Sequence, residues 1–108
     1  MDDIKLEETF IKTNGIQLHI IMAGPQSGTP FVLLHGFPET WRCWIKQIPA
    51  LVQAGCRVII PDQRGYNLSD KPKGIKNYRV DELTNDILGL IDALDYGRLT
   101  WLGMIGVR

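Results

Sequence analysis

An apolar run of four residues ends in a group that can bring backbone amides to a reaction centre. Residues 31 to 34 are Phe-Val-Leu-Leu, and His35, Gly36, Phe37 and Pro38 follow directly. Gly36 allows close approach of the backbone to another group because it has no side chain, and Pro38 fixes the turn. The pattern predicts either a strand that delivers its last amides to a site or a plain strand-exit turn.

A second polar segment follows another apolar run, and residues 62 to 72 read DQRGYNLSDKP. We expect Asp62 and Arg64 to be structural, either by holding each other or by capping nearby amides. Asn67 stands at a loop position where a positive φ is tolerable for asparagine. Ser69 lacks both the Gly-x-Ser-x-Gly frame of an activated serine and a partner histidine nearby in the sequence.

The elements that must position these residues begin with a hairpin over residues 8–24. Asn14 and Gly15 join two β-rich runs and supply the positive φ values of a tight turn. Alternation in the second run, from Ile16 to Ile20, predicts one buried face and one partly wet face. His19 is therefore expected to be a surface residue.

Buried strands and helices alternate along the rest of the chain. Helical spacing over residues 40–55 predicts a helix, which Pro49 should kink or divide into two short ones. Within it we expect Trp41 and Trp44 to be core residues. Residues 56–62 repeat the buried-strand pattern, residues 79–97 predict a helix, and residues 98–103 predict a final short strand. The apolar stripe of the second helix comprises Val80, Leu83, Ile87, Leu90, Ile91 and Leu94.

This element order predicts an α/β protein with an opening β-hairpin, parallel strands and right-handed crossover helices. Twelve acidic and twelve basic residues are spread among 108, and neither a basic stripe that would suit nucleic acid nor a membrane segment is apparent. The acidic amino terminus favours a cytoplasmic location as the default, although an anchor upstream would change that expectation.

Cofactor and metal chemistry are not indicated by the composition. Cys43 and Cys56 fit no paired metal spacing and are expected to be reduced, mostly buried thiols. The phosphate-binding Gly-x-Gly-x-x-Gly pattern is absent from the sequence. We therefore predict neither a metal nor another cofactor.

Three segments together resemble the α/β-hydrolase fold family, and within it the epoxide hydrolase and haloalkane or haloacetate dehalogenase branch. They are HGFP at 35–38, DQRGYNLSDKP at 62–72 and YRVDELTNDILGLIDALDYGRLTWLG at 78–103. The resemblance covers nearly all of residues 8–103. It implies the amino-terminal half of that fold and, for the full form, hydrolysis of a small-molecule epoxide, ester or halide.

The resemblance also implies roles for individual residues. The backbone N–H of Phe37 would be one half of an oxyanion hole, with Gly36 and Pro38 shaping the turn. His35 would be part of the structural motif, as would Asp62 and Arg64. His35 is not expected to be the catalytic base, because the base of this family lies far downstream.

One departure from the family concerns its nucleophile, which sits on a Gly-x-nucleophile-x-Gly elbow directly after the last strand seen here. In the epoxide hydrolase branch it is an aspartate, which forms an ester intermediate. Residues 103 to 107 read GMIGV, so Ile105 occupies the nucleophile's place and has no lone pair with which to attack.

This departure predicts a partial hydrolase domain over residues 1–103 and a divergent tail over 104–108. No catalytic nucleophile, acid or base is assigned, and we expect a truncated chain that is inactive alone. The alternative is a noncatalytic form that binds another chain, or a second copy, through the exposed strand edge after Leu102.

Overall fold

The computed structural model describes residues 4–35, 39–94 and, for the backbone alone, 103–105. Within these ranges five strands form one mixed sheet in the order β1-β2-β4-β3-β5. The strands are β1 Glu7–Thr13, β2 Ile16–Ala23, β3 Thr29–Leu33, β4 Cys56–Pro61 and β5 Gly103–Ile105, and the helices are α1 Ile48–Gln53 and α2 Val80–Leu94. Short 3₁₀ helices occupy Trp41–Trp44 and Ile75–Tyr78.

The opening hairpin forms as the sequence predicts. Asn14 and Gly15 adopt φ values of 51° and 78°, and they join Thr13 to Ile16 at the end of the antiparallel β1–β2 ladder. Two consecutive positive φ values match the right-handed twist of the flanking strands. Strand β2 also pairs antiparallel with β4, whereas β3 pairs in parallel with both β4 and β5. The predicted α/β sheet is therefore confirmed.

Both faces of the sheet are covered, which explains why β3 and β4 show no alternation of apolar and polar residues. Trp41 and Trp44 pack on one face, so their predicted place in the core is confirmed. Ile87 and Leu90 of α2 pack on the other. The first cluster also contains Ile21, Ala23, Leu33, Ile48, Cys56, Val58 and Ile60, and the second also contains Leu18, Ile20, Met22, Val32 and Ile59.

The segment that was expected to be one helix over residues 40–55 consists of two short helices, the second of the two outcomes predicted from Pro49. Pro49 lies in the first turn of α1. Its missing N–H costs little there, since the first turn has no intrahelical acceptor for it. Gly55 follows with a φ of 88° and leads into β4.

The apolar stripe of α2 is only partly buried. Ile87 and Leu90 are 4% and 0% exposed, but Val80 is 77% exposed, so the stripe prediction is wrong at its first residue. Val80 lies in the first turn and lines an open groove instead of the core. The predicted end of this helix, residues 95–97, falls outside the described residues.

Strand β5 lies at one edge of the described sheet. Of the strand predicted over residues 98–103 only Gly103 is described, and the strand continues to Ile105, which pairs in parallel with Leu33. The strand therefore crosses the boundary predicted between residues 103 and 104, and the division into domain and tail stays a prediction. Among the described helices, none has the length and hydropathy needed to cross a membrane.

Candidate functional site

The candidate site lies at the carboxyl ends of three neighbouring parallel strands, where open α/β sheets bind their ligands. His35 follows β3, Asp62 follows β4 and Ile105 ends β5. The strand order β4-β3-β5 therefore brings these three positions to the same edge. The predicted oxyanion-hole residue Phe37, with Gly36 and Pro38, lies outside the described residues, and its role stays a prediction.

His35 ties the end of β3 to the loop after β4. Its side chain is 1% exposed, and its Nε2 accepts a hydrogen bond from the backbone N–H of Gln63 at 3.0 Å. The Gln63 side chain donates in return to the backbone carbonyl of His35 at 2.7 Å. The rings of Tyr66 and His35 pack in a T-shaped arrangement with centroids 4.7 Å apart. Since Nε2 already accepts a hydrogen bond from a backbone N–H, this arrangement suits a structural role for His35.

Asp62 is fully buried and binds the chain on the carboxy-terminal side of residues 36–38. Its Oδ1 accepts a hydrogen bond from the backbone N–H of Trp41 at 2.8 Å. Its Oδ2 accepts from the Asn67 side chain at 2.8 Å and lies 2.7 Å from Nδ1 of His19. A buried carboxylate is costly unless such donors surround it. Asp62 therefore caps a backbone amide, as one of the two sequence alternatives proposed.

His19 is not the surface residue that alternation predicted, since only 2% of it is exposed. Its Nε2 lies 2.6 Å from Oε2 of Glu8, and its Nδ1 faces Asp62. The ring of Phe10 packs on it at a centroid distance of 5.1 Å. Alternation failed because β2 is an inner strand covered on both faces. The unbroken apolar run that follows His19 in the sequence was the signal that could have shown this.

Arg64 pairs with Asp86 of α2, so the alternative in which it holds Asp62 is wrong. Arg64 Nε and Nη2 donate to Asp86 Oδ2 and Oδ1, both at 2.7 Å. The hydrogen bond to Asp86 raises the pKa of Arg64 further above its ordinary value. Arg64 also donates to the backbone carbonyl of Asn77 at 2.6 Å. The predicted structural role of Arg64 agrees with this pairing.

Asp86 connects three elements and was missed at the sequence level. Its side chain accepts from Asn14 of the hairpin turn at 3.0 Å, and its backbone carbonyl accepts from Thr13 Oγ1 at 2.9 Å. The hairpin, the loop after β4 and α2 are thereby fixed to one another. An acidic residue directly beside the buried Ile87 was the available signal, because a carboxylate on an inward helix face needs a cationic partner.

Ser69 has no nucleophilic role in this arrangement. It is 2% exposed, its hydroxyl donates to the carbonyl of Asp62, and it accepts from the backbone N–H of His19. Asn67, in the same loop, has a φ of 46°, as its predicted tolerance of positive φ allows. Across the described ranges, no group of three or more His, Cys, Asp and Glu is placed to hold a metal ion.

Comparison with known proteins matches the part of the chain that contains this site. The family model for the α/β hydrolase fold matches residues 29–104. The AB hydrolase superfamily protein YfhM of Bacillus subtilis is 60% identical over 91 residues, covering 84% of this chain and 31% of the relative. Epoxide hydrolase A of Mycobacterium tuberculosis is 43% identical over 96 residues, covering 89% and 30%.

A solved structure agrees with these relatives. The crystal structure of Epoxide Hydrolase A from Mycobacterium thermoresistibile superimposes with a TM-score of 0.84 at 41% identity, covering 92% of this chain and 31% of that one. The chain thus spans roughly a third of the length of the proteins that it matches.

Proposed function

The chain belongs to the α/β-hydrolase fold family, and we propose that it is the amino-terminal portion of an epoxide hydrolase-like enzyme. The full form would open a small-molecule epoxide by aspartate attack and then hydrolyse the resulting ester. Support comes from relatives named as epoxide hydrolases, of which the chain spans about 30%. Ester or carbon–halogen hydrolysis is the nearest rival chemistry, because the elbow residue that distinguishes these reactions is Ile105 in this chain.

One observation carries the proposal: hydrogen bonds to buried side chains hold the chain on both sides of residues 36–38. His35 is bound to Gln63 on the amino-terminal side, and the amide of Trp41 is bound to Asp62 on the carboxy-terminal side. A donor in an oxyanion hole is effective because it is fixed before charge develops, and one such donor contributes about 3 kcal/mol. These anchors would fix the Phe37 amide in that way.

The 108-residue chain is proposed to be inactive on its own. Ile105 ends β5, where the family places its nucleophile, and an aliphatic side chain cannot attack carbon. The part that this chain would contribute is therefore the positioning of the oxyanion, while the attacking group would be supplied by the elbow that follows β5 in the full form.

A second candidate role is a noncatalytic module that associates through the edge of the sheet. In the described sheet β5 pairs with β3 on one side and ends the strand order on the other. An open edge of this kind is a template for pairing with another chain. Gel filtration of the isolated chain distinguishes the roles, because a dimer would favour the module and a monomer would count against it.

The hydrolase proposal is tested with a chimaera. Residues 1–103 replace the corresponding portion of Epoxide hydrolase A of Mycobacterium tuberculosis, which then supplies its own elbow and remainder. We expect the chimaera to hydrolyse styrene oxide saturably and the 108-residue chain to leave it unchanged. A folded chimaera without turnover, beside an active parent enzyme, would refute the proposal. Saturable turnover by the purified 108-residue chain would refute the statement that it is inactive alone.

A further inference from the structure

His19 is a buried histidine with a carboxylate at each ring nitrogen. Its Nδ1 lies 2.7 Å from Oδ2 of Asp62, and its Nε2 lies 2.6 Å from Oε2 of Glu8 in β1. An ionised carboxylate only accepts hydrogen bonds, so each ring nitrogen that keeps its contact must donate a proton. When both contacts are made, the ring is therefore an imidazolium held between β1 and the loop after β4.

The two contacts differ in how they depend on the charge of the ring. The Asp62 side chain is 0% exposed, whereas 57% of the Glu8 side chain is exposed. If the ring loses one proton, Glu8 can exchange its contact for water, but Asp62 would be a buried carboxylate that lacks a donor. The proton on Nδ1 is therefore retained, and His19 donates to Asp62 in both the charged and the neutral form.

Hydrogen bonds of the backbone hold His19 and Asp62 beside each other. The Asp62 N–H donates to the carbonyl of His19 at 2.9 Å. The His19 N–H donates to Oγ of Ser69 at 2.8 Å, and the Ser69 hydroxyl donates to the carbonyl of Asp62. Because the two backbones are already fixed, forming the bond between the side chains costs little further conformational entropy.

Asp62 connects His19 to the chain that follows residues 36–38. Its Oδ2 accepts from Nδ1 of His19 and from the Asn67 side chain, while its Oδ1 accepts from the backbone N–H of Trp41. Donors at both oxygens fix the orientation of the carboxylate group. Without the donor on His19, the buried group would tilt toward a replacement, and its hydrogen bond to the Trp41 amide would weaken.

We propose that His19 is a positioning residue for the oxyanion hole, because its Nδ1–H holds Asp62 in the orientation that binds the Trp41 amide. The inference rests on the proposed function, in which Phe37 supplies an oxyanion-hole donor. Such a donor lowers the barrier only if it is fixed where the charge develops. His19 would therefore affect kcat without touching the substrate.

The first experiment is independent of catalysis and measures deuterium exchange of the Trp41 amide in the 108-residue chain by nuclear magnetic resonance. His19→Asn keeps a donor at the place of Nδ1, whereas His19→Gln keeps one at the place of Nε2 and loses the donor to Asp62. We expect His19→Gln to exchange the Trp41 amide about tenfold or more faster than His19→Asn. Rates are compared with that of the Ile59 amide on the inner strand β4, which reports on opening of the sheet as a whole.

The second experiment measures the hydrolysis of styrene oxide by the chimaera. His19→Gln should lower kcat about tenfold or more and leave KM within a few-fold, since an oxyanion hole acts in the transition state. His19→Asn should keep kcat within a few-fold of the unchanged chimaera. Leu90→Ala is the control for lost stability, because Leu90 is a core residue of α2 outside this hydrogen-bond network. It should lower the unfolding midpoint and keep kcat.

Glu8→Gln keeps the test decisive if His19→Gln does not fold, since this change is at an exposed side chain and leaves the Nδ1–H of His19 in place. Trp41 exchange within a few-fold of the unchanged chain would support the inference. A tenfold increase would overturn it, because the contact at Nε2 would then be the one that matters.

Equal Trp41 exchange or equal kcat in the two His19 variants would overturn the inference. It would also be overturned if Leu90→Ala reproduced the loss of kcat seen with His19→Gln. Faster Trp41 exchange in His19→Gln, together with a chimaera that is inactive even with His19 unchanged, would support the bond between His19 and Asp62 as the anchor of Trp41 and would refute the proposed function.

Discussion

Removal of the Asp86 carboxylate should be among the most damaging single changes in this chain. The side chains of Arg64 and Asp86 are each 3% exposed, and two hydrogen bonds of 2.7 Å join them. In the Asp86→Ala variant the guanidinium would keep the carbonyl of Asn77 and a Glu82 carboxylate oxygen 3.9 Å away. Removing one partner of a buried ion pair costs about 3–5 kcal/mol. Because Glu82 and the Asn77 carbonyl compensate the Arg64 charge in part, we expect a loss near the lower end of that range.

This loss is measured by urea unfolding of the 108-residue chain, followed by far-ultraviolet circular dichroism. With a denaturant slope of about 2 kcal/mol per molar, a loss of about 3 kcal/mol lowers the midpoint by about 1.5 M. If the free energy of unfolding of the unchanged chain is below about 3 kcal/mol, the Asp86→Ala variant will be unfolded without urea. Asp92→Ala is the control, since Asp92 is exposed on the same helix. A midpoint for Asp86→Ala equal to that of Asp92→Ala would refute the reasoning.

Three further predictions concern stability. The hydrogen bond from Arg57 lowers the pKa of Glu7 below its ordinary value of 4.5. The ionised Glu7 therefore stabilises the folded state fully above that pH, and this contribution is lost as the pH falls through the lowered pKa. Glu7→Gln should therefore cost more stability at pH 7 than at pH 3 in urea titrations, and equal losses would contradict this. Gly89→Ala would place a Cβ 2.1 Å from Thr13 Oγ1 and should cost about 1–3 kcal/mol despite the better helix propensity of alanine; an unchanged melting temperature would count against it. Leu90→Ala should cost about 2–5 kcal/mol in urea unfolding, because Leu90 is 0% exposed, and a loss below 1 kcal/mol would contradict its place in the core.

Sequence patterns predicted those features of the fold that depend on a few neighbouring residues. Asn14 and Gly15 define the hairpin because they adopt positive φ values readily, and that preference is independent of the rest of the chain. The absence of alternation in β3 and β4 correctly indicated strands covered on both faces. Pro49 correctly suggested a division into two short helices.

The partners of buried polar residues could not be predicted in the same way. Arg64 has acidic residues nearby in the sequence, yet its partner is Asp86, 22 positions away. His19 is buried because Glu8 and Asp62 reach it from a neighbouring strand and a distant loop. The choice among several possible partners depends on the tertiary arrangement, which residue type and spacing do not specify.

The most direct test of the proposed function concerns the backbone amide of Phe37, measured in the chimaera. Phe37→Pro removes that N–H, whereas Phe37→Leu keeps it and serves as the control. With unfolding midpoints matched, we expect Phe37→Pro to lower kcat for styrene oxide by about 10²- to 10³-fold, the usual cost of losing one oxyanion-hole donor. Phe37→Leu should retain kcat within a few-fold of the unchanged chimaera, a range far below that cost. Equal kcat values for the two variants would contradict the assignment of this amide to the oxyanion hole.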